Sequence, residues 1–377
     1  MKILQVYKDY YPVIGGMENH IRLIVRGMRQ RHPDIEMTVL VTNTARNTVT
    51  ETLDGVQIIK AGRLANISSA PISVSLFSQM HALSAASDLI HLHFPYPIGE
   101  MAYLLAGRNK PALISYHSDI VRQKYLLQLY KPFMLKLIAR ASVITTSNPN
   151  YIQSSPYLKP HAAKCVVIPH GAELSEFEPT PAVRARAQAL REQYGGPIIL
   201  FVGLLRYYKG VACLIDAMQH VAPNAQLLIV GNGPEGDALR EQTRKLNLEQ
   251  RVHFLGRVSD EDRLALYHAC EVFSLPSIHR SESWGAVQVE ALACGKPIVS
   301  TELGTGTSWV NQHEQTGLVV PPMDVQALAA AINRLLADPE LRQRMGAAGK
   351  IRARQELDAD VMIDRLASVY RKMVVIS

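Results

Sequence analysis

The chain has 377 residues, of which 47% are hydrophobic and 19% charged, which fits two ordinary domains with sizeable cores and excludes a disordered or coiled-coil chain. The net charge of +7 is uneven: residues 1–180 carry 18 Lys and Arg against 12 Asp and Glu, whereas the remainder carries 22 against 21. A basic first half suits an acidic partner, either a phosphate-bearing substrate or an anionic membrane surface, and no motif that reads DNA or RNA accompanies it.

Met1 leads directly into the strand-like Lys2-Ile3-Leu4-Gln5-Val6, so no signal peptide is expected. No apolar run approaches the ~18 residues of a membrane span, and a cytoplasmic chain is the expectation. Short apolar strands at 3–6, 37–42, 89–94, 113–116, 143–146 and 166–168 alternate with helices. One of these helices carries Ile21, Ile24, Val25 and Met28 at i, i+3, i+4, i+7. That rhythm predicts a parallel sheet covered on both faces, with ligands bound beyond the carboxyl ends of its strands.

The segments after the strands are therefore the candidates for chemistry. Gly15-Gly16 precedes a helix and lets backbone approach an anion, although a plain loop explains it as well. His91 and His93 alternate to one side of a strand. Metal ligation is conceivable there, but with no third ligand in view, polar residues at a strand end is the preferred reading. Tyr116-His117-Ser118-Asp119 sits where active-site residues collect. Residues 120–140 mix Arg122, Lys124, Lys131, Lys136 and Arg140 with Tyr125, Leu129, Tyr130, Phe133, Met134, Leu137 and Ile138. Such a helix either lies on an anionic membrane or packs on the core with a basic solvated face, with Pro132 expected to kink or divide it. The Pro- and charge-rich stretch 176–186 reads as a linker.

The rhythm then restarts, with strands at 198–202, 226–230, 252–255, 272–275 and 297–300. After the first comes Gly203-Leu-Leu-Arg206-Tyr-Tyr-Lys209-Gly210, whose two cations at a strand–helix junction suit a diphosphate. After the second comes Gly231-Asn-Gly233-Pro-Glu-Gly236. It is formally a dinucleotide fingerprint, but it follows the wrong strand for one, so an oxidoreductase is disfavoured and a nearby nucleotide is the weaker inference. After the fourth comes Pro276-Ser-Ile-His-Arg-Ser-Glu282-Ser-Trp284-Gly285, then a helix containing Glu290. Either carboxylate alone reads as an ordinary acidic helix start. The small-residue loop 304–308 can wrap a sugar or phosphate. Asp260-Glu-Asp262 and Asp358-Ala-Asp360 read as acidic first turns rather than a magnesium site. Cys165, Cys213, Cys270 and Cys294 are widely spaced, as reduced thiols would be. Signatures of serine hydrolases and P-loop NTPases are absent.

These features together resemble the retaining glycosyltransferases of family 4 over essentially the whole chain. The carriers are Gly15-Gly16, Tyr116-His117, Gly203…Arg206…Lys209-Gly210, Gly231-Asn-Gly233-Pro234 and above all Glu282-x7-Glu290 followed by Ala-Leu-Ala-Cys-Gly-Lys-Pro. The resemblance implies an α/β protein of the GT-B fold, two Rossmann-like domains with parallel sheets facing across a cleft. The expected domains are an acceptor domain at 1–180, a donor domain at 181–355, and a helix at 356–377 crossing back to the first. It also implies catalytic roles for His117, Glu282, Arg206 and Lys209. Arg206 and Lys209 would hold the donor diphosphate, Glu282 the sugar and Glu290 the ribose. Gly15, Gly16, Gly231, Gly233, Trp284 and Gly285 complete the donor site. No metal or cofactor is implied. Trp284 stands where the family commonly has Phe, and the approach Ile278-His279-Arg280-Ser281 is basic. The expected reaction moves a hexose from a nucleotide-diphosphate sugar, GDP-mannose preferred and a UDP-sugar next, to a glycan or lipid-linked saccharide at the inner membrane face. The alternatives are a soluble acceptor, as in sucrose or trehalose synthases, and a non-catalytic sugar-nucleotide-binding protein.

Overall fold

A computed structural model describes residues 1–13, 15–67, 70–120 and 124–376. The chain forms two compact units, Met1–Gly171 with Ala359–Ser377, and Ala172–Asp358. The divisions thus fall at 171/172 and 358/359, where the expectation was 180/181 and 355/356. Residues 176–186 are no linker. Thr180 caps helix α6 (Pro181–Tyr194) by accepting from the Val183 N–H at 3.2 Å, and Pro181 occupies the first turn, where its missing N–H costs nothing. Val183, Ala187 and Leu190 bury that helix in the core of the second unit.

The first unit contains β1 (Lys2–Val6), α1 (Gly16–Arg31), β2 (Glu36–Thr42), β3 (Val49–Leu53), β4 (Val56–Ala61), β5 (Ala65–Ile67), β6 (Ala70–Ile72) and α2 (Ser75–Ala86). It continues with β7 (Leu89–Phe94), α3 (Pro97–Ala106), β8 (Ala112–Tyr116), α4 (Lys124–Arg140), β9 (Val143–Thr146), α5 (Pro149–Ser154) and β10 (Cys165–Val167). Its sheet runs β10-β9-β8-β7-β1-β2-β4-β3, parallel except for β3. The uniformly parallel expectation fails at that edge. Asp54 and Gly55 both have left-handed backbone, the geometry of a tight hairpin turn, and Arg22 Nε donates to the Asp54 carboxylate at 2.7 Å. β5 and β6 form a separate small antiparallel pair. Pro132 lies inside an undivided α4. The last helix, α14 (Ala359–Ile376), packs through Met362, Ile363, Leu366 and Tyr370 into this first core. Arg31 of α1 grips Asp360 and Asp364 of α14 at 2.8 and 2.7 Å.

The second unit has β11 (Ile198–Val202), α7 (Val211–Ala217), β12 (Gln226–Val230), α8 (Gly236–Lys245), β13 (Val252–Gly256), α9 (Asp260–Ala269), β14 (Val272–Leu275) and α10 (Ala286–Ala293). β15 (Ile298–Thr301), α11 (Thr307–Val310), β16 (Gly317–Val320), α12 (Val325–Ala337) and α13 (Pro339–Glu356) complete it. Its sheet is wholly parallel in the order β13-β12-β11-β14-β15-β16. β11 and β14 are buried along their whole length, as strands covered on both faces must be. Asp260 and Asp360 do fall in acidic first turns, of α9 and α14.

Candidate active site

In the second unit, the loop after β11 is held by the loop after β12. A side chain on Gly231 would meet the Gly203 carbonyl at 2.0 Å, and one on Gly233 the Leu205 carbonyl at 2.3 Å. The two glycines therefore let one loop support the other, with the Leu205 N–H donating to the Asn232 carbonyl at 3.0 Å. Arg206 is exposed at the tip. A short 3₁₀ turn, Tyr207–Lys209, follows and ends at left-handed Gly210, whose added Cβ would lie 2.0 Å from the Pro276 carbonyl. This close approach to the loop after β14 carries Lys209 to Glu282.

Lys209 Nζ and the Glu282 carboxylate form an ion pair, with side chains only 12% and 10% exposed. Ser277 Oγ donates to the same carboxylate at 3.3 Å. Glu282 lies four residues before α10, so it does not cap that helix. The ordinary helix-start reading is thereby replaced. Left-handed Gly285 occupies the N-cap, and a Cβ there would crowd Leu275 Cδ2 and Gln288 Nε2, each at 2.7 Å. Trp284 is buried against Trp309, ring centroids 5.7 Å apart. The small-residue loop packs onto this turn: Thr305 Oγ1 donates to the Glu282 carbonyl and the Gly306 N–H to that of Ser283, both at 2.8 Å.

Glu290, on α10, stands apart from this pair. Arg263 Nη1 of α9 lies 3.3 Å from its Oε2, with Tyr267 beside it. Burial pushes the Glu290 carboxyl up from its ordinary range, and Arg263 and Tyr267 oppose that shift. Lys209, Glu282 and Ser277 are thus brought together, and Glu290 forms a second polar centre with Arg263 and Tyr267. Sequence reasoning missed Arg263 and Tyr267, and it named Ser277 and Thr305 only within longer segments, without their link to Glu282. Only Arg263, a cation in an otherwise acidic first turn, gave a readable signal.

In the first unit, Gly15 has extended backbone at the N-cap of α1. A Cβ on it would strike the Glu18 carboxylate at 2.2 Å, whereas a Cβ on Gly16 would meet open space. Glu18 is buried in the first turn of α1, where the helix dipole favours a carboxylate.

His117 follows β8, its N–H donating to the Phe94 carbonyl at 3.2 Å. Its Nε2 lies 3.1 Å from His93 Nδ1, and the two rings are nearly parallel, 3° apart in orientation. Asp119 serves elsewhere: it accepts from Tyr116 Oη at 2.6 Å and Ser155 Oγ at 2.7 Å. His20 and His170 adjoin His117, ring centroids 5.7 and 5.3 Å away. His91 and His93 are not merely strand-end residues; they are fully buried and hydrogen-bonded within the unit. Burial pushes the imidazoles well down from their usual range, His91 to about 3 and His170 to about 4. Among the described residues no group of three or more His, Cys, Asp or Glu is arranged to hold a metal ion.

On α4, Tyr130, Met134, Leu137 and Ile138 are buried, while Leu129, Phe133 and Leu135 are exposed among Lys131 and Lys136. Arg122 lies outside the described residues, as do the side chains of Lys124 and Tyr125. No helix among the described residues is long and apolar enough to cross a membrane.

Two family models match the chain, Glycosyltransferase Family 4 over residues 14–176 and Glycosyl transferases group 1 over residues 184–352. The chain is similar to the D-rhamnosyltransferase WbpZ of Pseudomonas aeruginosa, 37% identical over 94% of this chain and 92% of that protein. It is also similar to O-antigen chain mannosyltransferase C of Escherichia coli, 35% identical over 99% of each. Its fold resembles that of HepE from Anabaena solved in complex with UDP, with a TM-score of 0.79 and 22% identity over 99% of this chain and 100% of that one. The two units are the Rossmann-like domains of a GT-B fold, and the chain belongs to glycosyltransferase family 4.

Proposed function

We propose that this glycosyltransferase moves a hexose from a nucleotide-diphosphate sugar, GDP-mannose in preference to a UDP-sugar, onto a glycan or lipid-linked saccharide with retention of anomeric configuration. The observation that carries the reading is the buried pairing of Lys209 with Glu282 beside Arg206. A lysine held this way is positioned and largely desolvated, so its charge acts strongly on a diphosphate. Arg206 and Lys209 then stabilise the leaving nucleoside diphosphate without a metal. Glu282, released from Lys209, takes sugar hydroxyls, and Glu290 the ribose. The nucleotide donor draws support from the UDP bound by Anabaena HepE. The mannose preference and glycan acceptor draw support from the relative that acts as an O-antigen chain mannosyltransferase.

Retention follows if the acceptor attacks on the face the leaving group departs from and a phosphate oxygen takes the acceptor proton. His117 is assigned to the acceptor side of the reaction. Peripheral membrane attachment is part of the same reading. It rests on exposed Leu129, Phe133 and Leu135 interleaved with Lys131 and Lys136, an arrangement suited to an anionic surface.

Thermal-shift screening against GDP, UDP, ADP and their sugars tests the donor, and no shift with any of them would sink the reading. NMR of the fresh product tests retention, for which the donor's anomeric configuration is expected. Transfer should persist in excess EDTA if the two cations suffice. Cosedimentation with anionic vesicles should weaken when Lys131 and Lys136 are both replaced by Glu.

A further inference from the structure

The interior of the first unit holds a continuous chain of hydrogen bonds ending at His117. Gln5 on β1 is fully buried; its Nε2 donates to Tyr370 Oη at 2.8 Å and faces Met37 Sδ at 3.9 Å. Its Oε1 lies 2.8 Å from His93 Nε2, and His93 Nδ1 lies 3.1 Å from His117 Nε2. In the other direction, Tyr370 Oη contacts His91 Nδ1 at 2.7 Å, His91 Nε2 contacts Ser115 Oγ at 2.7 Å, and Ser115 Oγ contacts Thr145 Oγ1 at 2.8 Å. Thr145 Oγ1 in turn reaches the Ile114 carbonyl at 3.5 Å.

The direction of every proton in this chain follows from its ends. The Ile114 carbonyl and the Met37 thioether can only accept. Thr145 therefore donates to Ile114, which leaves its oxygen to accept from Ser115, and Ser115 to accept from His91 Nε2–H. His91 Nδ1 then accepts from the Tyr370 hydroxyl, whose oxygen accepts from Gln5. The amide nitrogen of Gln5 faces both Tyr370 and the sulfur, so its carbonyl must face His93. Buried imidazoles are neutral here, with one donor and one acceptor each. His93 thus carries its proton on Nε2 and accepts at Nδ1, and among the described residues the donor facing that nitrogen is His117 Nε2–H.

We propose that Gln5 and Tyr370 are positioning residues that, through His93, hold His117 in the tautomer protonated at Nε2, so that Nδ1 offers a lone pair to a substrate hydroxyl. Among the described residues Nδ1 of His117 makes no hydrogen bond. The arrangement rests on the proposed function for its meaning, since a fixed acceptor nitrogen orients a reacting hydroxyl only if one is bound. It gives the C-terminal helix a part in the chemistry through the Gln5–Tyr370 bond, whose two partners are 365 residues apart in sequence.

The tautomer is read directly by long-range ¹H–¹⁵N correlation of histidine rings in the full chain labelled with ¹⁵N-histidine, without substrate. His117 should show Nε2–H in the wild type. Tyr370→Phe, nearly isosteric, frees the Gln5 amide to turn over and should give mixed tautomers at His93 and His117. Gln5→Met should do the same. Both should lower kcat about tenfold while leaving the donor KM unchanged, the split expected when the group that orients the acceptor hydroxyl is disturbed. Nδ1–H on wild-type His117 would overturn the proposal, and so would a tautomer or kcat indifferent to Tyr370→Phe. Failure of every nucleotide to shift the wild-type melting temperature would overturn the functional reading separately, because the NMR measurement involves no donor.

Discussion

The two units share an architecture and differ in what they bury at their polar centres. The first buries neutral imidazoles, an amide and hydroxyls, each satisfied by the next. The second holds opposite charges, Lys209 with Glu282 in a largely buried pair and a partly exposed Arg263 with Glu290. A neutral chain has its partners already and fixes orientation. A buried ion pair holds charges that a bound anion can compete for, and breaking one half of it leaves the other costly. The first device suits aiming a hydrogen-bond acceptor at a hydroxyl, and the second suits receiving a diphosphate.

The sharpest way to break that contrast is Lys209→Ala. It should reduce turnover by about 10²–10³-fold, the loss usual for one electrostatic contact in an active site, and weaken GDP binding far more than guanosine binding. Equal losses for nucleoside and nucleotide, measured by calorimetry, would remove Lys209 from the diphosphate.

Gly210→Ala should come next, at about 3 kcal/mol. It forces a left-handed Ala and sets a Cβ against the Pro276 carbonyl at 2.0 Å. Urea denaturation that places the loss below about 1 kcal/mol would mean that the loops after β11 and β14 part easily.

Acid should distinguish the units. Unfolded imidazoles bind protons near pH 6.5. His91, lowered to about 3, and the equally buried His93 do not, so the unfolded state binds more protons and stability falls as pH drops below 6.5. Glu100 opposes this, because burial raises its carboxyl to about 8 and it stays protonated in the folded state while its unfolded counterpart ionises above 4.5. His20, His117 and His170 of the same unit are lowered by burial as well, so five imidazoles against one carboxyl leave a net loss of stability as pH falls from 6.5 towards 5. In the second unit burial raises Glu290, while His253 and His268 are lowered in a partly exposed setting, so its loss should be smaller. Hydrogen exchange, corrected for intrinsic rates and resolved by unit, measures both; equal losses would erase the contrast.

Gly16→Ala carries the smallest expected effect, within about 0.5 kcal/mol, because its Cβ points into open space. A large loss of thermal stability would show that Gly16 is needed by the fold and not only by an approaching ligand.

Much of this architecture is legible in the residues alone. Short continuous apolar runs place the central strands and a period-3.6 pattern places α1, and Glu282-x7-Glu290 with Arg206 and Lys209 carries the family resemblance of the second unit. Two features that the sequence reading misses do have a local signal. Asp54-Gly55 between alternating Val49–Leu53 and Val56–Ala61 is a plain hairpin signal. Thr180-Pro181 is a plain helix start, masked as a linker by the prolines and charges that cluster there. Other features have no local trace at all.

What the sequence determined by itself was the local physics: which segments are apolar on one face or two, where glycine and proline punctuate them, and which residue types sit at the carboxyl ends of strands. Only the tertiary structure decided partnership. Sequence reasoning sends Lys209 and Glu282 to different parts of one donor, and the fold brings them into contact across 73 residues because Gly210 lets the backbone pass the Pro276 carbonyl. His117 has no partner that its neighbours in sequence reveal, and the fold supplies a line of them from Gln5 to Tyr370, the two ends of the chain. Burial and hydrogen-bond direction depend on neighbours in space, and no spacing along the chain encodes them.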